Sequence, residues 1–428
     1  MRSEEDFAKQ EAAAKLRIHL DSLKPISFTE LEAVFNKWLL IVDPYILRFL
    51  MGAYGTIRLK GRKPAWCIII GPSRGGKTEF LNSLYDLGDI YPMSLLTPQS
   101  FLSGMPGGRD ASLLPLLGNK IMLFKDWTSV LSMQQDARRE IMAQLREIWD
   151  GSFKKVFGNG QIRDWEGRVG LIAASTQVVD LAQQMHTTLG ERFLNYRIIM
   201  PDRKEVTRRS LKNNAIQDVM QRELKDAVYA YIQGIDWEKK IPGLNEAQTE
   251  ELIVLSDFAC KSRSGVIRDA GNRNEVMFVP SAEIPTGLAQ ALESIAFSLA
   301  LQFGKLDEIS INMIYKTTLD SIPQTNKMVI LEMAKRDEQS TTEIANALGY
   351  PNTPIRMYLE NLSMLRVCRR MKGKDTEEGG AADRWTMYPE YVEIIRKYEK
   401  ISPIWSDEEI AMAEKEEEID AKTLFENA

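Results

Sequence analysis

Apolar positions along the 428-residue chain change period several times, and each change marks an expected boundary. Residues 1–24 are rich in Glu, Lys and Ala and predict a polar helix. Ser27-Phe-Thr-Glu30 has the form of a capping box, in which a hydroxyl and a carboxylate three residues apart satisfy each other's backbone N–H groups. Behind it, Leu31, Val34, Phe35, Trp38 and Leu39 follow helical spacing, and YILRFLMGAYG predicts a second helix before the basic loop at Lys60–Lys63. The next 140 residues alternate. Continuously apolar runs at Trp66–Ile70, Ile121–Phe124 and Val169–Ala174 read as strands, with helical segments between them. Short strands of that kind, separated by helices, indicate a parallel sheet covered on both faces. From Asp202 to Ile322 the pattern is mostly helical, and residues 326–390 differ again.

Composition narrows the class. The formal net charge is −5, yet Glu399–Ala428 holds ten acidic and three basic residues. That tail carries −7, so residues 1–398 carry +2, and the overall acidity does not argue against a nucleic-acid partner. Two histidines, His19 and His186, and three cysteines, Cys67, Cys260 and Cys368, have no zinc-ligand spacing and suggest no disulfide framework. A Ser-His-Asp hydrolase resting on either histidine is disfavoured. No apolar run approaches the length of a membrane span, and the start MRSEEDFAKQEAAAK is too charged for a signal peptide. The expectation is a soluble cytoplasmic protein without a membrane partner.

The strongest chemical signal is Gly71-Pro72-Ser73-Arg74-Gly75-Gly76-Lys77-Thr78, which satisfies GxxxxGK[ST] between the strand WCIII and the helical run TEFLNSLY. Glycines let successive backbone N–H groups face phosphate oxygens. Lys77 is placed for the β- and γ-phosphates of ATP, the Thr78 hydroxyl for Mg²⁺, and Glu79 follows directly. A second metal-binding carboxylate is expected after a buried strand, and Ile121-Met-Leu-Phe-Lys-Asp126 supplies it. A strand-end Asp capping Thr128 is the alternative reading of Asp126. Many P-loop ATPases place a Glu after this Asp to orient the attacking water. Here Trp127 follows, leaving Glu79, Glu147, Asp150 and Glu191 as substitutes.

Fifty residues further, VGLIAA ends in Ser175-Thr176, and Gly190-Glu-Arg192-Phe comes next. In this order and spacing the chain resembles the AAA+ family. The resemblance implies that Thr176 or Ser175 is sensor 1, and that Arg192 is an arginine finger acting on a neighbouring subunit's nucleotide, with Arg197 as its rival. It also implies a homo-oligomeric, hexameric ring. The run SFKKVFGNGQIRDW at Ser152–Trp165 predicts a hairpin punctuated by Gly158-Asn159-Gly160. Placed just before the sensor 1 strand, it resembles the pre-sensor-1 hairpin of superfamily-three and minichromosome-maintenance helicases. By that resemblance Lys154, Lys155 and Arg163 are expected to hold DNA phosphates, with Phe157 stacking on a base. The glycine-rich stretch Ser100–Arg109 is a second candidate channel loop. Gly287 falls where the related helicases carry a nucleotide-sensing Arg, so Arg268 or Arg273 substitutes, or that sensor is absent.

Residues 326–388 predict three helices and a wing, and resemble winged-helix domains. Their third helix, begun by Thr353-Pro354, is the expected DNA reader. Between Pro354 and Lys374 there are six basic residues and one acidic. Arg356 is placed for a base or phosphate, and Arg366, Arg369 and Arg370 for the DNA backbone. The expected organisation is an N-terminal helical segment (1–62), an α/β AAA+ P-loop core with a parallel sheet (63–201), a helical lid (202–322), a C-terminal winged helix (323–392) and an acidic tail (393–428). The expected function is a DNA-dependent ATPase ring, a helicase or replication-initiator-type motor. Two rivals stand beside it: an ATP-controlled switch or transcription regulator, and a protein remodeller that uses Phe101 as a pore aromatic.

Overall fold

The computed structural model describes residues 4–103, 112–180, 192–200, 202–269, 271, 275–372, 375–376, 379–380 and 382–401. Its centre is a five-stranded sheet in which every neighbouring pair is parallel. The strands are β1 (Trp66–Ile70), β2 (Ile90–Met93), β3 (Ile121–Phe124), β6 (Gly170–Ser175) and β7 (Phe193–Arg197), in the order β2-β3-β6-β1-β7. An antiparallel hairpin of β4 (Ser152–Val156) and β5 (Ile162–Glu166) stands apart from it. β1, β3 and β6 are buried at every position, as expected of strands covered on two faces. The period-2 alternation shows in what each residue meets. Cys67, Ile69, Leu123 and Ile172 enter one apolar cluster, whereas Trp66, Ile68, Met122 and Leu171 enter another. β2 and β7 were not anticipated, because each mixes polar and apolar residues.

The first cluster extends well past the sheet. It takes in the helices Phe28–Trp38 and Ile46–Gly55, the helices Gln217–Gln233, Glu246–Arg263, Thr286–Phe303 and Glu308–Asp320, and the C-terminal residues Val329, Leu359, Trp385 and Ile395. The capping box at Ser27 and Glu30 forms as anticipated. Gly52 lets the 46–55 helix approach closely: a Cβ there would lie 3.1 Å from Ile295 and Leu299. Among the described residues, no helix is long and apolar enough to cross a membrane.

The C-terminal part has helices Gln324–Lys335, Thr341–Leu348 and Asn352–Met364, and a three-stranded antiparallel sheet of Gln339–Ser340, Arg384–Met387 and Cys368–Met371. The third helix begins at Asn352 behind Pro351, so Pro354 sits in its first turn rather than opening it. Phe101, expected as a pore aromatic, is fully buried in the second cluster. Its ring cannot face a channel. Arg109 and most of its loop lie outside the described residues.

Candidate functional site

Three strands bring the phosphate-motif residues to one sheet edge. Ile70 is level with Ser175, and Phe124 with Ala173, so two residues further on Asp126 stands level with Ser175. Gly71 N–H donates to Ser175 O at 3.2 Å, and Gly75 N–H closes a turn on Pro72 O at 3.2 Å. The loop then needs left-handed backbone at Arg74 (φ 60°) and Gly76 (φ 79°); the second is where glycine is least strained. Lys77 is buried, and its ammonium donates to Gly71 O at 2.8 Å and Pro72 O at 2.5 Å. Burial pulls the Lys77 pKa down, and the nearby Asp126 charge opposes that. Pro72, Ser73 and Thr78 are exposed along the loop.

Asp126 is exposed at the end of β3, where Oδ1 accepts the Thr128 N–H at 2.9 Å. The capping alternative is therefore realised in the structure, and the same carboxylate faces solvent beside the loop. Trp127 N–H is anchored to Ala174 O at 2.7 Å, which fixes the strand end. Ser175 is buried, and its hydroxyl has no partner among the described residues, while Thr176 is half-buried just beyond it. Glu79 Oε2 lies 3.4 Å from Gln221 Nε2, near the loop. Glu147 and Asp150 belong to the opposite end of the sheet, and Glu191 lies outside the described residues.

A cavity of about 260 Å³ opens beside the loop. Arg74, Gly75, Gly76, Thr78 and Glu79 form one wall, Leu39–Asp43 a second, Ile198–Met200 a third, and Val206, Arg209, Asn213 and Gln217 a roof. The helix Arg203–Asn213 is held there by Arg209, which donates to Leu39 O at 2.9 Å, and by Asn213, which donates to Trp38 O at 2.9 Å. A concave, mostly apolar space with a few polar groups suits a small-molecule ligand. These walls come from distant segments, and the sequence reading missed them. A faint signal existed: RKEVTRRSLKN holds five basic residues and only two apolar ones, Val206 and Leu211, too few for a helix that faces a core.

Arg192 lies elsewhere. It precedes Phe193, which is level with Trp66 at the start of β1, whereas the glycine-rich loop follows the end of that strand. At about 3.3 Å per residue, the two ends of β1 are about 13 Å apart. Arg192 packs over the Trp149 ring at 4.7 Å, approaches Asp150 at 4.0 Å, and leaves its Nε without a partner among the described residues. Arg197 differs from it. Arg197 is clamped by both Asp180 oxygens and bonds the carbonyls of Asp320 and Ile322. That makes it a structural residue, which removes it as the rival finger.

The expected DNA contacts divide. In the hairpin, Lys154 is exposed across from Asp164, but Lys155 turns to Pro98 O at 3.1 Å and Glu140 at 3.6 Å. Arg163 pairs across the strands with Lys155. Phe157 is half-buried against the second cluster rather than free to stack. The exposed tip is apolar, with Val156 opposite Ile162. In the C-terminal part, Arg366 and Arg369 are exposed, with Arg369 over the Tyr388 ring. Arg356 bonds Glu360 at 3.1 Å, and Arg370 bonds Asp383.

Arg268 is taken up by the C-terminal part. It bonds Asn361 at 2.8 Å and Glu360 at 3.1 Å on the third helix, and Arg273 lies outside the described residues. Comparison of the sequence with protein-family models and with curated proteins finds no match, so the geometry alone carries the functional reading.

Proposed function

We propose that the protein is a DNA-dependent ATPase of the AAA+ type that works as a homo-oligomeric, hexameric ring, as a helicase or replication-initiator-type DNA motor. Residues 71–78, Asp126 and Thr176 make the nucleotide edge of the P-loop core, and the cavity beside them takes the nucleoside. Lys77 would contact the β- and γ-phosphates. The Thr78 hydroxyl and Asp126 carboxylate would hold Mg²⁺, since both are exposed hard oxygen donors, one in the first turn of the helix Lys77–Asn82 and the other just past β3. Bound there, Mg²⁺ supplies charge neutralisation between the phosphates.

The observation that carries the reading is the separation of Arg192 from this edge. An arginine whose Nε has no partner among the described residues, packed on Trp149 at the far end of the sheet, cannot reach the glycine-rich loop of its own chain. A neighbouring copy can receive it, and a finger supplied between subunits stabilises transition-state charge. The three helices and the three-stranded antiparallel sheet of residues 324–387 support a winged-helix reading, in which the third helix would read duplex DNA.

A second reading, an ATP-controlled switch, is favoured by one feature: Arg268 and Glu360 tie the third helix to the segment before the 286–303 helix. The two separate in one assay. Hydrolysis by the full chain should rise severalfold with DNA and fall on the order of a thousandfold in Arg192→Ala, while binding of a fluorescent ATP analogue is kept. A chain that neither hydrolyses ATP faster with DNA nor shifts labelled DNA at low salt is not this motor.

A further inference from the structure

Residues 402–428 carry nine acidic and two basic side chains, with Trp405, Ile410, Leu424 and Phe425 among them. They follow the helix Pro389–Ile401, so the end of that helix fixes where they start. Tyr398, three residues before that end, accepts from Lys327 Nζ at 2.8 Å, and the same ammonium donates to Asp320 Oδ1 at 2.6 Å. The other oxygen of Asp320 accepts the Arg197 N–H at 2.9 Å. Tyr398 Oη therefore lies within about 11 Å of the last residue of β7. Six residues beyond Arg197 the helix Arg203–Asn213 begins. The acidic segment thus leaves the fold near the end of β7, from which the chain also departs for that helix.

Helical spacing sorts the 203–213 helix into two faces. Val206, Arg209, Ser210 and Asn213 line the cavity, whereas Lys204, Arg208, Leu211 and Lys212 share the opposite face and are exposed. Arg208 pairs with Glu205, and among the described residues no carboxylate pairs with Lys204 or Lys212. Apolar groups stand beside these cations: Leu211 is 73% exposed, Val219 52% and Ile216 44%. Clustered apolar exposure of this kind marks an interaction surface. A phosphate backbone would satisfy the cations and leave the apolar groups in water. An acidic segment with apolar side chains satisfies both, and residues 402–428 are such a segment. Fully extended, their 27 residues reach up to about 90 Å, against about 16 Å for the length of the helix. Tethering also holds them at an effective concentration of about a millimolar, which favours their own chain over a second copy.

We infer that residues 402–428 dock on the Lys204, Arg208, Leu211 and Lys212 face of their own chain, with Ile216 and Val219 extending the contact. The docked segment is a built-in competitor, and a polyanion reaches this face only by displacing it. Docking needs neither nucleotide nor hydrolysis, so it stands or falls apart from the ATPase reading. Charge attraction supplies much of the contact, and salt weakens it accordingly.

The test is zero-length carbodiimide cross-linking of the full chain at low salt, which joins a lysine to a carboxylate only where the two touch. Ordinary and ¹⁵N-labelled chains are mixed in equal amounts first, and the cross-linked peptides are read by mass spectrometry. Lys204 and Lys212 should be joined to carboxylates between Asp407 and Glu426, in pairs of a single isotope. The yield should fall severalfold at about 1 M salt, where charges act only within about 3 Å. Binding of fluorescent heparin, a polyanion independent of any DNA site, gives the second readout. The combined changes Glu414→Gln, Glu416→Gln, Glu417→Gln and Glu418→Gln should tighten it severalfold at low salt, with unchanged melting. Adding Lys204→Gln and Lys212→Gln should abolish that gain. Mixed-isotope pairs at their statistical share would place the segment on a second copy, and cross-links to Lys372 instead would place it on the C-terminal part. Either result overturns the inference, as does the lack of any cross-link from Lys204 and Lys212, or a gain in heparin binding that survives the lysine changes.

Discussion

Positive charge is held differently at the glycine-rich loop after β1 and in the C-terminal part. Lys77 rests on two neutral backbone carbonyls, Gly71 O and Pro72 O. Arg356 and Arg370 rest on carboxylates, Glu360 and Asp383, and Arg268 comes from outside to share Glu360. An incoming phosphate has to displace only dipoles in the first place. In the second it must compete with fixed anions that also repel it. A count of basic residues therefore overstates the affinity of a surface for DNA until its acidic partners are subtracted.

The largest expected effect lies where the two regions meet, in a third arrangement of charge. Asp320 is buried and bonded by Lys316 and Lys327; Lys316 also donates to the Arg197 carbonyl, and Lys327 to Tyr398 at 2.8 Å. Asp43 joins through the Tyr196 hydroxyl at 2.7 Å. Asp320→Asn removes one anion from beside two buried ammonium groups and should cost about 3–5 kcal/mol in urea unfolding.

The acid dependence has a definite sign. Burial works to raise the Asp320 pKa, but Lys316 and Lys327 outweigh it and hold the carboxyl down at about 2. A group lowered on folding contributes stability above its unfolded pKa. That contribution is lost as pH falls from the ordinary aspartate range through about 2. Equilibrium unfolding between pH 5 and 2 should show this slope in the unaltered chain and a smaller one in Asp320→Asn.

Next in size is Lys77→Ala. Loss of a charge-assisted hydrogen bond, worth about 1.5–3 kcal/mol, should weaken binding of an ATP analogue by about tenfold to a hundredfold. Melting without nucleotide should barely change, since the ammonium bonds only neutral carbonyls. A large loss of folding stability instead would mean that Lys77 serves structure more than ligand. The smallest effect is Glu360→Gln. Freed from its carboxylate, Arg356 should bind labelled DNA severalfold more tightly at low salt, with the gain fading as salt screens it. Unchanged affinity would show that this helix does not meet DNA.

The sequence was most legible where short-range chemistry decides. The capping box at Ser27, strands β1, β3 and β6, and the hairpin around Gly158–Gly160 all follow from local patterns. β7 was not legible, because FLNYR mixes a buried Asn and a Tyr into a strand that only its neighbours make central. The glycine-rich turn between β1 and the helix at Lys77 could be read from its spacing, but the cavity beside it could not. Its walls come from residues 38–43, 74–80 and 198–220, and no spacing rule links segments so far apart. The ion pairs of Lys155, Arg268 and Arg370 were invisible for the same reason, since each partner is chosen by packing.

The continuous apolar cluster that runs from the sheet through the 286–320 helices into the C-terminal helices has a mechanical meaning. With Lys327 bonding both Asp320 and the Tyr398 hydroxyl inside it, the C-terminal part is a packed arm rather than a bead on a tether. Any rotation of the 308–320 helix would swing that arm through the same angle. Leverage of this kind transmits torque, and a flexible linker would absorb it.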